Sequence, residues 1–382
     1  MKVYPFRSWV EVSRERIADN FRAVRAIVGP EAEVMPVVKA DAYRHGAVEV
    51  SRVLVEQGAR WLAVSNVEEG IVLRQAAISA RILVMADFLP VERPALIEYD
   101  LTPAIHSLPD LVEWDKLAQV MQRPLRYHLK LDTGMGRLGT RAPLEEIAET
   151  VLASKRVTCE GLMTHFASSA DYDNPQTGQQ IGCFRRLAEG LRQAGVKPAY
   201  VHLSSTNPVA YGRSETWMGM GTTAMVRPGH AIYGYVSAAR GEQAPKRILD
   251  VKPALAWRAA ILEVKEIPEG ARIGYGGIHR TTRRTRIGVL AAGYADGLPH
   301  RLSNKGRVIA GGKWAPILGA VSMDLTTVDL TASPELKAGD AVTLIGTEGE
   351  CTQDAQQMAR TAGTISYSVL CGISARVKRV YV

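Results

Sequence analysis

A lysine placed directly after a buried apolar run is costly unless its charge is paired or its proton is lost. The chain has such a lysine in Val37-Val38-Lys39-Ala40-Asp41-Ala42-Tyr43. Two readings are open for it. Lys39 either snorkels to solvent or serves as an amine that forms a Schiff base with a carbonyl. Tyr43 follows four residues on, close enough in a turn to reach the same ligand. Other apolar runs end in comparable groups: Lys130, with Arg137 behind Gly134 and Gly136; His165 in Met163-Thr164-His165-Phe166; and Arg227-Pro228-Gly229-His230. The run His202-Leu203-Ser204-Ser205-Thr206 supplies hydroxyls and amides suited to phosphate. Each group has a bland alternative: His165 as a satisfied core histidine, residues 204–206 as a helix cap, Arg227 as the partner of a structural carboxylate. Their joint placement at the ends of apolar runs favours a shared site.

Such groups need elements that bring run ends together. Short strands are predicted at residues 34–38, 61–64, 81–85, 102–106, 127–132, 161–165, 200–203 and 225–227, alternating with helix patterns such as 14–28, 49–57 and 179–194. Eight alternating units predict an α/β fold, an N-terminal (β/α)8 TIM-like barrel over residues 1–240, whose ligands bind at the C-terminal ends of the strands. An open doubly wound sheet is the competing arrangement. After residue 240 the helical periods fade. Strand-like runs at 256–264, 286–291, 314–318, 325–328 and 341–344 are separated by Gly, Pro and Asp, with a helix at 353–362. This predicts a mainly β C-terminal domain over 241–382, with residues 1–10 open to pairing with it.

Gly134, Gly136 and Gly139 have the G-x-G-x-x-G spacing of a dinucleotide turn. That motif needs a buried apolar strand before it and a helix opening inside it. Here the preceding strand alternates, with His128, Lys130 and Asp132 on one face, and the next helix is predicted to start near Pro143. The glycines therefore read as a loop that carries polar side chains past a site. The net charge of +8 is mostly dispersed, and the densest cluster, residues 279–286, has no aromatics to stack on bases. A solvated loop is expected there, with no nucleic-acid partner. The four cysteines are scattered, with no C-x-x-C pair, so no metal is expected. No apolar run approaches a membrane span, and residues 1–17 lack a signal core. A cytoplasmic protein with no membrane partner is the expectation.

VVKADAYRHG, KLDTGMGRLG, THFASSAD, MVRPGHAIYG, GYGG, GYADG, VSMD and SYSVLCGISARVKRVY resemble, in order, the motifs of the alanine racemase family. The resemblance runs from near residue 4 to the C-terminus. It implies a pyridoxal 5′-phosphate enzyme, built from a barrel and a β domain, that interconverts L- and D-alanine and supplies D-alanine for peptidoglycan. It implies a homodimer with shared active sites. By matching motif, Lys39 holds the cofactor and acts as one base, and Tyr275 from a second subunit is the other. Tyr43, Ser205, Thr206, Gly229, His230 and Tyr367 surround the phosphate, and Arg227 faces the pyridine nitrogen. Arg137 and the Met323 backbone amide meet the substrate. Lys130 resembles the lysine often carbamylated, His165 supports the network around Arg227, and Asp324 and Tyr294 support the mouth of the site.

The chain departs from the family pattern in three places: Ser205-Thr206 stands where Asn-Ser is usual, His230 where an apolar residue is common, and Ala320 where an arginine is frequent. These bear on strictness for alanine against serine and other side chains. A basic amino-acid decarboxylase shares the two-domain plan, but its late cysteine-aspartate pair is absent. A non-catalytic pyridoxal-phosphate-binding protein is a single barrel, which leaves Tyr275 and Met323 unexplained.

Overall fold

Strands buried on both faces show continuous apolar runs rather than alternation. Runs such as Trp61-Leu62-Ala63-Val64, buried at every position, behave this way in the computed structural model, which describes residues 5–86 and 88–382. Residues 1–4 of the N-terminal segment expected to pair with the β domain lie outside the described residues. The chain divides into two units, one of Glu15–Ala42 with Ala47–Lys252, the other of residues up to Arg14 with Tyr43–Gly46 and Pro253–Val382.

The strand β1 (Ser8–Val12) belongs to the second unit. The first unit contains eight strands: β2 (Ala32–Val34), β3 (Trp61–Val64), β4 (Arg81–Val84), β5 (Thr102–Ile105), β6 (Leu125–Lys130), β7 (Val157–Met163), β8 (Tyr200–His202) and β9 (Thr223–Val226). They form one parallel sheet in the order β2-β9-β8-β7-β6-β5-β4-β3. A parallel bridge from Val37 to Ala63 of β3 brings the two edges together, making a nearly closed barrel. The strand expected at 34–38 is set earlier, at Ala32–Val34, although beyond it Met35 and Val37 still donate to the Val226 and Pro228 carbonyls at 2.9 Å each and Val37 bridges Ala63.

The helices follow from apolar spacing and end chemistry. Arg14–Val28 buries Ile17, Phe21, Val24 and Val28, a stripe at helical spacing, with Glu15 in its first turn and Arg25 in its last. Burying each such side chain is worth about 2 kcal/mol. Ser107 accepts from the Asp110 N–H at 3.2 Å to start Leu108–Val120. The helix expected near Pro143 runs Leu144–Ala153.

In the second unit, β1 lies antiparallel to Leu255–Ile267 (Ser8 opposite Ala259) and parallel to Lys378–Tyr381. Leu255–Ile267 pairs along its first part with Ala341–Glu348 and along its second with Thr285–Leu290; this second pairing shifts register between Ile261 and Glu263. Trp9 and Trp257 are fully buried, and the Trp257 indole donates to Ser8 Oγ at 2.8 Å. Ala355–Ala362 opens with a capping box between Asp354 and Gln357 and ends at Gly363 with φ +65°. The basic stretch 279–286 is engaged locally: Arg283 pairs with Asp329, Arg284 with Glu266, and Arg286 donates to the Leu336 carbonyl.

Candidate active site

The C-terminal ends of the barrel strands carry four cations, Lys39, Lys130, Arg137 and Arg227. Arg227, one residue past β9, is buried. Its NH1 donates to the His202 carbonyl at 2.7 Å, and its NH2 donates to Thr164 at 2.6 Å and Leu203 at 3.2 Å. Three carbonyls at the ends of β7 and β8 thus hold one planar guanidinium, a geometry that a lysine cannot reproduce. Burial pushes Arg227 down to about 10, still protonated at neutrality. Its Nε–H makes no hydrogen bond among the described residues.

That fixed charge shapes its neighbours. Burial, then the charges of Arg227, Arg137 and Lys39, push Lys130 down to about 8, with Asp132 opposing. Lys130 is itself buried, and its amine makes no hydrogen bond among the described residues. Burial and the same cations push His165 down to about 3, so its imidazole is neutral. His202 is held well below its ordinary value by burial and Arg227, and it shares a 2.7 Å hydrogen bond with the equally buried His128. A neutral histidine pair adds no charge beneath Arg227.

The glycine loop after β6 is organised by Asp132. Its Oδ1 accepts from the amides of Gly134, Met135 and Gly136 at 3.1, 2.8 and 3.1 Å, and its Oδ2 accepts from Arg141 at 2.8 Å. Burial raises that carboxyl, but Arg141 and the amides outweigh it and hold it below the usual range. Gly139 passes so close that a Cβ there would lie 2.7 Å from the Asp132 nitrogen. The loop leaves Arg137 exposed, without an ion-pair or hydrogen-bond partner among the described residues. No helix opens within the glycines, so the dinucleotide reading is excluded by the local geometry.

Phosphate-type donors gather behind β8 and β9. The amides of Gly229 and Ala231 converge on Thr206 Oγ1, each at 3.2 Å. Ser205 precedes the short helix Thr206–Ala210, and its hydroxyl makes no cap bond. His230 is buried with its ring stacked on Tyr235, centroids 5.1 Å apart. Hydroxyls and amides set among cations suit an anion carrying a phosphate.

Several positioning groups escape motif reading. Gln180, fully buried in Gln176–Gln193, donates to the His165 carbonyl at 2.9 Å and accepts from the Ala167 N–H at 2.9 Å, fixing the loop that carries His165. Thr133 and Thr164 share a 2.7 Å hydroxyl contact. Immediately after Lys39 the backbone enters a left-handed turn: Ala40, Asp41, Ala42, Tyr43 and Arg44 all have φ between +52° and +65°. Glu69 Oε1 accepts from the Ala40 N–H at 2.6 Å. The spacing Asn66 to Glu69 signals a helix start, but nothing in it signals a contact 29 residues away.

The second unit holds the remaining candidates. Tyr43 and Tyr367 pack as tilted rings with centroids 5.9 Å apart. Tyr275 stands 79% exposed in a loop whose Gly274 and Gly276 have φ +71° and +68°. Tyr294 and Met323 are brought side by side: the Tyr294 N–H donates to the Ser322 carbonyl at 3.0 Å, and the Ala295 N–H donates to Met323 at 2.9 Å. Asp324 pairs with Arg376 at 2.7 Å, and Arg376 also reaches the buried Asp296 at 3.4 Å. Ala320 lies beside the Tyr275 loop, its N 3.4 Å from where a Gly274 Cβ would sit. A cavity of about 410 Å³ lies at the opposite, N-terminal end of β4–β7, but two of its arginines are committed, Arg74 to carbonyls and Arg81 to Glu160.

Comparison with known proteins accounts for both units. The profile of the alanine racemase N-terminal domain matches residues 12–237, and that of the C-terminal domain matches residues 254–381. An alanine racemase of Halothermothrix orenii is 38% identical, over 98% of this chain and 96% of its own length. The structure of alanine racemase from Clostridium difficile 630 superposes with a TM-score of 0.91 at 30% identity, covering 99% of this chain and 96% of that one. Alanine racemase from Bartonella henselae, solved with covalently bound pyridoxal phosphate, gives a TM-score of 0.85 at 25% identity, with 99% and 100% covered. With profiles over nearly its whole length and relatives of this identity, the chain belongs to the alanine racemase family, and its activity is that of an isomerase.

Proposed function

We propose that the protein interconverts L- and D-alanine with pyridoxal 5′-phosphate as cofactor and two bases, Lys39 and Tyr275 of the partner subunit. The observation that carries this reading is the barrel mouth: a buried Arg227 locked on three carbonyls, a Lys130 amine pushed down to about 8 and a neutral His165. The donor set fits the cofactor. Ser205, Thr206, Gly229 and His230 would hold the phosphate, with Tyr43 and Tyr367, and the uncommitted Arg227 Nε–H suits a pyridine nitrogen. When bound, pyridoxal phosphate draws electrons away from the substrate α-carbon.

The residues of the chain then divide the proton work. Lys39 Nζ takes or returns the α-proton on one side, and Tyr275 Oη of the partner subunit does so on the other, so the substrate need not turn over. Arg227 stays protonated and donates without giving up a proton. Arg137 and the backbone amide of Met323 of the partner subunit hold the substrate, while Asp324 and Tyr294 support the entrance. A carbamylated Lys130 would place an anion against Arg137. The exposed Tyr275, Ile278, Tyr294, Met323 and Leu325 of the β unit support a homodimer interface, since large apolar groups gathered at a surface mark partner sites. We place the enzyme in the cytoplasm, supplying D-alanine to peptidoglycan.

The test is L-alanine racemisation followed by circular dichroism. Lys39→Ala is expected to abolish both turnover and the visible absorbance of bound cofactor. Tyr275→Phe is expected to keep the absorbance and lose turnover by at least about a hundredfold. Full turnover in either variant would refute the two-base assignment. A panel of serine and larger side chains reads the effect of His230 and Ala320.

A further inference from the structure

We propose that Glu69 is a positioning residue that latches the lysine-bearing loop of the barrel. The inference rests on Lys39 as the cofactor-holding base. Glu69 lies in the first turn of Val67–Gln75, and its own N–H donates to the Asn66 side chain at 2.9 Å, so its backbone is fixed by the cap. A glutamate at this point of a helix ordinarily turns back to the amide of the capping residue. Glu69 does not. Its Oε2 accepts from the Ser65 N–H at 2.8 Å, just past the end of β3, and its Oε1 accepts from the Ala40 N–H at 2.6 Å, just past Lys39. One carboxylate therefore ties the loop after β3 to the first peptide of the left-handed turn.

The tie falls just past the last residue that pairs with a neighbouring strand. Past β2, Met35 and Val37 still donate to the Val226 and Pro228 carbonyls at 2.9 Å each, and Val38 donates to Ala63 at 2.8 Å, so the strand pairing runs up to the residue before Lys39. The residues that follow Lys39 occupy a left-handed conformation without a glycine among them. Such a run persists only where its surroundings over-determine it. At its far side Asp41 Oδ1 accepts from the Ala47 N–H at 2.8 Å. At its near side the latch is Glu69. Both carboxylate oxygens are used as acceptors, one on each side of the tie. Lys39 Nζ must meet the α-carbon within a fraction of an ångström, and a loosened Ala40 peptide swings the whole side chain.

Amide hydrogen exchange on the full-length protein, with and without pyridoxal phosphate, tests the latch directly. Glu69→Gln keeps the shape but offers one acceptor oxygen in place of two, because its NH2 group only donates. In Glu69→Gln, protection at Ala40 or at Ser65 is expected to fall about tenfold, and in Glu69→Ala at both. The kcat for alanine is expected to fall about tenfold in Glu69→Gln with KM within about twofold, the pattern of a misplaced base. Borohydride fixation of pyridoxal phosphate on Lys39 is expected to persist. If Glu69→Gln lowers the melting temperature while leaving protection at both Ala40 and Ser65, and kcat, unchanged, Glu69 is only a helix-start residue and the inference fails. If the unsubstituted enzyme itself gives no fixation on Lys39, the reading of Lys39 fails instead, and the exchange result still decides the latch.

Discussion

Lys130 shows how a single buried amine reports on the whole barrel mouth. Its shift from 10.5 to about 8 corresponds to about 3 kcal/mol of opposition to the charged form. Because the folded value is depressed for a base, the penalty on folding is complete below pH 8 and disappears as pH rises from about 8 to 10.5. In buffer freed of carbon dioxide, Lys130→Met is therefore expected to be more stable than the parent at pH 7 by up to about 3 kcal/mol, with the advantage vanishing by pH 10.5. The neutral amine is also the form that attacks carbon dioxide, giving a carbamate and releasing a proton. Added bicarbonate is then expected to raise the melting temperature of the parent and not that of Lys130→Met. Denaturation curves at several pH values, with and without bicarbonate, read both effects. A parent enzyme indifferent to bicarbonate would mean the amine stays unmodified.

At the scale of elements, the left-handed turn is the local structure that departs furthest from what its residue types suggest. Ala40-Asp41-Ala42-Tyr43-Arg44 has no glycine, yet every φ is positive, at about 1–2 kcal/mol per residue. Burial of Ala42 and Tyr43, the Ala42 N–H to Val38 carbonyl bond at 2.8 Å, and the Asp41 and Glu69 carboxylates offset that cost. Ala40 is exposed, so Ala40→Gly loses no packing. It is expected to stabilise the protein by about 1 kcal/mol in urea denaturation, where the same change inside a regular helix destabilises by a similar amount. A destabilised Ala40→Gly would show that the turn is not strained at that residue. The contrast explains what could be read in advance. Arg14–Val28 and Trp61–Val64 were legible because apolar spacing and burial decide them locally. Lys39, Arg227 and residues 204–206 were legible because a polar group ending an apolar run sits at a barrel mouth. The turn, Glu69 and Gln180 were not, because each depends on partners such as Ala40 or His165, 29 and 15 residues away, that no local pattern names.

For the whole molecule, the decisive issue is whether one site draws on two chains. Tyr275 and Met323 are 79% and 53% exposed on the β unit, although the proposed chemistry asks both to meet a substrate. A two-fold dimer resolves this if each β unit completes the site of its partner, since a two-fold interface repeats every contact. The arrangement has a consequence that no single-chain site shares. Lys39→Ala and Tyr275→Phe are each inactive as homodimers. In a mixed dimer one site carries both substitutions and the other carries neither. Denaturing the two variants together in equal amounts and refolding them with pyridoxal phosphate makes about half of the dimers mixed, each with one intact site, so racemisation should return to about a quarter of the unsubstituted level. Refolding either variant alone should return nothing. If sites lay within single chains, the mixture would stay as inactive as its components, because every site would still lack one base.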